Sequence, residues 1–376
     1  MWTISDRLKK AILSSSRFKI IVKPNRVFAT DLGTEEYQLL SGSLTGSSGN
    51  QVPWSGDIEV ASRLVDGRNA FSFCDPREGR TIKITYRYLF SDNTYEDIDF
   101  PPMLITDLTP SLGKLQLKLA SMEQFFADDR SPHFSDPLTV FANVTPGYAM
   151  WHCGPYRSFS EFTTSIPVPA LADTSGVATL INVSPRTPDS KKPMDQIDAI
   201  GDSYGLAWSV GRAGTFSVRK KKTLSSAVDW SFTSDSSANL LGPAGFTISR
   251  SDYYNVVNAG NPDEPTVQGR VTQNSGRFRI DGNFGVRGRY YASTFLTTTP
   301  QTLSAAASIL ATATQDRWAL AFDSMPAPFL DPGDVINVYL EGVGTVKRLV
   351  DTVTHPLTVG TRSQFTTAAA SLPEDA

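Results

Sequence analysis

This sequence predicts a mainly β, α+β fold: two antiparallel β-barrel domains with a small helix-hairpin domain and an irregular insert between them. Three observations predict it. Apolar and polar residues alternate with a period of two in several separate runs. The 24 Pro and 27 Gly are spread among Val, Thr, Ser and Phe, which is the punctuation of many short strands. Helical spacing occurs in only three stretches. At 376 residues and 40% hydrophobic content, the chain is expected to divide into roughly two to four domains.

The elements follow in order. Residues 1–16 hold a short amphipathic helix over 5–14, because Leu8 and Ile12 are four apart with Arg7, Lys9 and Lys10 around them. Residues 17–125 form the first β domain, a single antiparallel barrel or sandwich. Phe18, Ile20 and Val22 alternate with Lys19, Ile21 and Lys23; Ile82, Ile84, Tyr86 and Tyr88 alternate with Lys83, Thr85 and Arg87; Leu115, Leu117 and Leu119 alternate with Gln116 and Lys118. Turn-rich pieces at 42–50, Asp75-Pro76 and Asp92-Asn93 separate these runs. Residues 126–192 are proline-rich, with Trp151, Tyr156, Phe159 and Phe162 isolated between prolines, and read as an irregular insert with short strands.

Residues 193–235 form the helix-hairpin unit. Pro193 opens the helix, Asp195 faces the positive end of its dipole, Met194, Ile197, Ile200 and Tyr204 are its apolar positions, and Gly205 stops it. Residues 207–210, the turn Gly211-Arg212-Ala213-Gly214 and residues 215–219 complete a hairpin. Residues 240–362 form the second β domain. It contains one helix, capped by Thr299, begun by Pro300 and presenting Leu303, Ala306, Ala307 and Leu310 as a stripe. The turn Asp331-Pro332-Gly333-Asp334 leads into a strand over 335–340, and Gly342-Val343-Gly344 turns into another near 349–354. Residues 363–376 are expected to be a flexible tail.

Composition excludes several functions. Thirty-five Lys and Arg against 38 Asp and Glu give a net charge of -3, which offers no grip on a phosphate backbone. Cys74 and Cys153 alone cannot build a disulfide framework or a four-cysteine metal site. No signal-peptide core and no membrane span is found, so synthesis in the cytoplasm without membrane integration is expected. The three histidines are His133, His152 and His355, too few and too scattered for a Ser-His-Asp or Cys-His site without recruitment across domains. No phosphate loop, nucleophile elbow or zinc motif occurs. The carboxylates Glu96, Asp97 and Asp99, and Asp128 and Asp129, read as solvated turns rather than a glycosidase pair. Arg219, Lys220, Lys221 and Lys222 read as a wet strand end. In each of the pairs Tyr253-Tyr254 and Tyr290-Tyr291, one ring is expected in the core and one on the surface. No catalytic, cofactor-binding or metal site is assigned and no cofactor is expected.

The series Gly42-Ser43-Leu44-Thr45, the helix-hairpin over 194–218, residues 249–257, residues 290–300, residues 328–335 and residues 350–357 resembles the tail-hub or minor tail proteins of long-tailed bacteriophages, especially those of actinobacteria. The resemblance implies a non-enzymatic virion component at the tail tip. In it, two tube-like β domains per chain, in a homotrimer, imitate a sixfold ring. Such a ring would meet the distal tail protein or tail tube on one side and tip or fibre proteins on the other. It would enclose a channel for the tape measure protein and then for DNA in passing. A mildly acidic lumen would repel phosphate and let the genome slide. Two alternatives stand beside it. A cell-wall hydrolase would gather Asp128 or Asp129 with another carboxylate, or His152 with a metal; a carbohydrate-binding receptor module would expose Trp151 and Tyr156.

Overall fold

The structure is a computed structural model that describes residues 4–13, 17–24, 36–62, 64–65, 68–69, 74–128, 141–152, 171–177, 181–183, 193–212, 214–234, 239–247, 250, 253–292, 298–314 and 319–368. It divides into two compact units: residues 1–244 with 321–367, and residues 245–320 with 368–376.

In the first unit α1 (Asp6–Leu13) precedes β1 (Arg17–Pro24), β2 (Leu39–Ser47), β3 (Trp54–Ala61), the short β4 (Leu64–Val65) and β5 (Arg68–Asn69), β6 (Thr81–Leu89), β7 (Tyr95–Asp99), β8 (Met103–Ser111) and β9 (Lys114–Ser121). The insert adds α2 (Gln124–Asp128), β10 (Phe141–Val144), α3 (Pro146–His152), β11 (Leu171–Asp173) and β12 (Ile181–Val183). Then come α4 (Pro193–Tyr204), β13 (Leu206–Val210), β14 (Phe216–Lys220) and β15 (Trp230–Phe232). The second unit holds β16 (Gly245–Thr247), β17 (Val256–Gly260), β18 (Gln268–Thr272), β19 (Gly288–Ala292) and α5 (Thr299–Ala313). After it the chain returns through β20 (Ala319–Ser324), β21 (Val335–Leu340), β22 (Gly344–Pro356) and β23 (Ser363–Thr367).

The chain is mainly β, as the alternation predicts. One large sheet runs in the order β1-β6-β8-β9-β3-β2-β22-β23-β20, with β7 on β6, β21 on β22 and β15 on β21. Strands from both expected β domains therefore share hydrogen bonds, through the antiparallel pair β2 and β22, from Ser43 opposite Pro356 to Ser47 opposite Thr352. Among the described strands the sheet does not close into a barrel. The alternation sets the core: Ile82, Ile84, Tyr86 and Tyr88 of β6 and Leu115, Leu117 and Leu119 of β9 are buried. Helix α1 docks by Leu8 and Ile12, both buried, each contributing roughly 1.5–3 kcal/mol.

Four expectations change. Residues 42–47 are strand rather than turn. Their glycines serve close packing: a Cβ on Gly46 would lie 2.8 Å from Pro332 and 3.0 Å from the Trp54 ring. Residues 363–367 are strand β23 rather than tail, with Ser363, Phe365 and Thr367 buried on one face. Within the insert the described residues add a helix to the expected short strands. Thr145 and Pro146 start helix α3, and β11 pairs in parallel with β14 of the hairpin. Finally, α5 is capped by Thr298 instead of Thr299, and Leu303 and Ala307 are exposed while Thr302, Ala306 and Leu310 are buried. The cause is Gly269 of β18, where a Cβ would lie 2.6 Å from Thr302 Oγ1 and 2.7 Å from the Leu303 backbone N. The helix backbone itself rests on that strand.

Helix α4 and its hairpin match the reading of the sequence, with Pro193 first, Tyr204 last and Gly205 at φ +64° beyond it. Met194 and Ile197 pack with Phe216, Val218, Met150 and Phe126 in a separate small core.

Candidate functional site

Chemistry requires charged or titratable groups that reach a ligand. On β7 the carboxylates are consumed in cross-strand pairs. Asp97 takes two hydrogen bonds at 2.8 Å from Arg87, and Asp99 takes Lys83 Nζ at 2.7 Å and Thr85 Oγ1 at 2.6 Å. Glu96 accepts from Ser5 N and Oγ, tethering the start of α1. These acids build the structure rather than a glycosidase pair. The basic run is also partly structural: Lys222 Nζ lies 2.6 Å from Asp229 Oδ2 and 2.8 Å from Asp334 Oδ1. Despite the burial of Lys222, these two carboxylates raise its pKa. Cys74 is a buried thiol, and burial pushes it up to about 11.

The one histidine whose side chain is described is His355, near the end of β22 and fully buried. Its Nδ1 lies 2.9 Å from Ser363 Oγ, and its ring stacks on Trp54 at 6.0 Å and tilts against Phe100 at 5.5 Å. Burial, reinforced by the positive field of Arg212, depresses its pKa to about 3. A serine beside a histidine is the start of a hydrolytic constellation. Here both residues have no exposed surface, so the pair faces aromatic core instead of a substrate cleft. Arg212, at the tip of the β13–β14 hairpin, reaches the same region with 4% of its side chain exposed. It donates to Asp99 O and Asp331 Oδ1, both at 2.7 Å, and so fastens the helix-hairpin module to the sheet. Glu123, buried between β9 and α2, makes a second fastening: its Oε1 accepts from Val210 N at 2.6 Å, and burial raises its pKa.

Sequence reasoning missed Arg212, Glu123 and Ser363. Charges in turns default to solvent, so nothing in the order of residues marked the first two as buried. His152 ends α3. The side chains of Asp128 and His152, and all of Asp129, His133, Cys153 and Tyr156, lie outside the described residues. Trp151 is half-buried against the small core and tilts onto Tyr148 at 5.7 Å. Tyr253 is buried and stacks on Phe278, whereas Tyr290 and Tyr291 are both exposed. The split expected for the latter pair fails because both faces of β19 are exposed.

A shallow polar trough of about 380 Å³ lies across β2, β3, β9 and β8, lined among others by Ser41, Asp57, Glu59, Asp107, Gln116 and Lys118. Glu59 accepts from Gln116, Lys114 and Ser41 at 2.9, 2.7 and 3.0 Å, and these bonds lower its pKa to about 2. A glycosidase needs one carboxyl that retains its proton, and Glu59 does not supply it. Among the described residues no cluster of His, Cys, Asp or Glu could hold a metal ion, and no helix is long and apolar enough to cross a membrane.

Comparison with solved structures gives the kind of this fold. The chain is similar to the 43 kDa tail protein of prophage MuSo2 from Shewanella oneidensis, with TM-score 0.60 and 10% identity over 94% of this chain and 98% of that one. It is similar to the tail protein from Neisseria meningitidis MC58, with TM-score 0.58 and 12% identity over 93% and 96% of the two chains. Prophage tail protein gp18 from Listeria monocytogenes EGD-e gives TM-score 0.52 and 13% identity over 93% and 94%. No protein-family model and no curated protein matches the chain. The chain thus has the fold of phage tail proteins. None of these three is named as an actinobacteriophage protein.

Proposed function

We propose that this chain is a non-enzymatic structural subunit of a bacteriophage tail, a hub at the tail tip whose three copies form a pseudo-sixfold ring between tube and tip. The observation that carries this reading is the β2–β22 junction. Two β halves, far apart in sequence, join edge to edge within one chain, with Thr45 and Thr354 hydroxyls 3.1 Å apart across the seam. Repeating a comparable edge contact between chains would give six β halves from three copies. Similarity to tail proteins over more than nine-tenths of each chain supports the virion assignment.

The β8–β9 hairpin supports an assembly role. From Thr106 to its tip at Leu112 and Gly113 it is exposed save for Leu108, and Leu112 has no cover at all. A bare leucine at a hairpin tip suits insertion into a neighbouring subunit. The ring would contact the tail tube or distal tail protein, the tape measure protein and tip proteins, and DNA would pass through it without being held. Native mass spectrometry with negative-stain microscopy of the purified chain tests the reading. Three-copy rings are expected at micromolar concentration and above; a monomer at all concentrations, or release of fragments from purified cell wall, would overturn it.

A further inference from the structure

We propose that the outer edge of β19 receives an extended acidic segment of a partner protein, which adds to the β18-β17-β19 sheet as a fourth strand. The reading is independent of the ring. In this unit β17 is central, β18 lies antiparallel on one side and β19 parallel on the other, so β19 is the edge among the described strands. Arg287 O accepts from Asn255 N and Val256 N of the β17 side. Main-chain groups alternate sides along a strand, so the N–H and C=O groups of Gly288 and Tyr290 face outward. All five residues of β19 are exposed, Tyr290 by 57%, and Val286 just before it by 66%.

Unpaired edges are ordinarily blunted by proline, lysine, a bulge or a covering loop. Strand β8 follows that rule, with Asp107 and Pro110 along its exposed stretch. Strand β19 does not: Gly288-Arg289-Tyr290-Tyr291-Ala292 has no proline and no lysine, and a Cβ on Gly288 would meet open space. Its one charge, Arg289, is drawn back over the Tyr254 ring at 5.3 Å, leaving the main chain clear. Charge selects the occupant. The loop that leads into β19 and the strand itself, residues 277–292, carry Arg277, Arg279, Arg287 and Arg289 against the single acid Asp281, which sits 3.3 Å from Arg279. Strand addition supplies main-chain hydrogen bonds, and the arginines favour carboxylates on the added strand.

The test uses the full chain and a fluorescent peptide of alternating Glu and Val, with a Lys-Val peptide and a fully N-methylated Glu-Val peptide as controls. Fluorescence anisotropy is expected to show at least tenfold tighter binding of the Glu-Val peptide than of either control. Gly288→Pro removes one outward N–H at a site with room for the ring, and is expected to weaken binding at least tenfold. Arg289→Glu is expected to weaken it at least fivefold and to improve binding of the Lys-Val peptide. Equal binding of the methylated and unmethylated peptides overturns the proposal without reliance on any variant. Self-association of the wild type that Gly288→Pro abolishes also overturns it, by making a second copy of the chain the occupant.

Discussion

Acidification from pH 7 to pH 5 should remove about 2 kcal/mol of stability through His355 alone. Its folded pKa is depressed to about 3, whereas an unfolded histidine titrates near 6.5. Between those values the unfolded chain binds a proton that the folded core refuses, so stability is complete above about pH 6.5 and falls as pH drops toward 3. At pH 5 the deficit is about 1.5 pH units at 1.36 kcal/mol each, or about 2 kcal/mol. Glu123 opposes it: its folded pKa is raised by burial, so its contribution is lost as pH rises above 4.5. The two must be separated by variants. Urea unfolding followed by tryptophan fluorescence, at pH 5, 6 and 7, should show His355→Phe losing about 2 kcal/mol less than wild type between pH 7 and 5. Glu123→Gln should show a steeper loss than wild type. Equal losses in wild type and His355→Phe, within about 0.5 kcal/mol, would refute an imidazole held neutral by this core.

Other perturbations test other joints. Arg212→Met should cost about 3 kcal/mol by urea unfolding, because it removes the buried guanidinium that donates to Asp331 Oδ1 and Asp99 O, and the double variant with Asp331→Asn should cost measurably less. Gly269→Ala should cost about 1–3 kcal/mol by forcing α5 off β18, with faster amide hydrogen exchange confined to residues 299–313. Leu112→Asp should change monomer stability by less than about 0.5 kcal/mol, since the side chain touches nothing, yet reduce ring formation seen by native mass spectrometry.

The legible parts of the fold were those where one physical signal acted alone. Pro193, Gly205 and four apolar positions specified α4 to the residue, and alternation specified β6 and β9. Signals failed where packing reversed the usual meaning of a residue. Gly42 and Gly46 punctuate turns elsewhere; here small size lets β2 lie against Ile58 and Pro332. Strand β23 alternates correctly, but its buried positions include Ser363 and Thr367, so no apolar pattern announced it. Helix α3 was legible in principle from Thr145-Pro146, with Tyr148 N donating to Thr145 Oγ1 at 3.3 Å. The surrounding prolines obscured it. Of the buried joints, Arg212 and Glu123 left no trace, because burial of a charge is decided by partners distant in sequence: Asp331 lies 119 positions from Arg212, and Val210 87 from Glu123.

The β2–β22 seam also constrains how the chain reaches this structure. Thr45 and Thr354 are 309 residues apart, and the helix-hairpin module and the second unit both lie between them in sequence. Until residue 356 is available, β2 has β3 on one side and an open edge on the other. An open edge on a strand whose Gly42, Gly46 and Thr45 carry no charge invites the wrong neighbour. Contacts this distant also raise the closure entropy and slow folding. Modules with local contacts, such as α4 with β13 and β14, can form first and shorten the effective loop. Arg212 and Glu123 then hold that module against the sheet. Removing either fastening should delay closure of the seam more than it weakens the module itself.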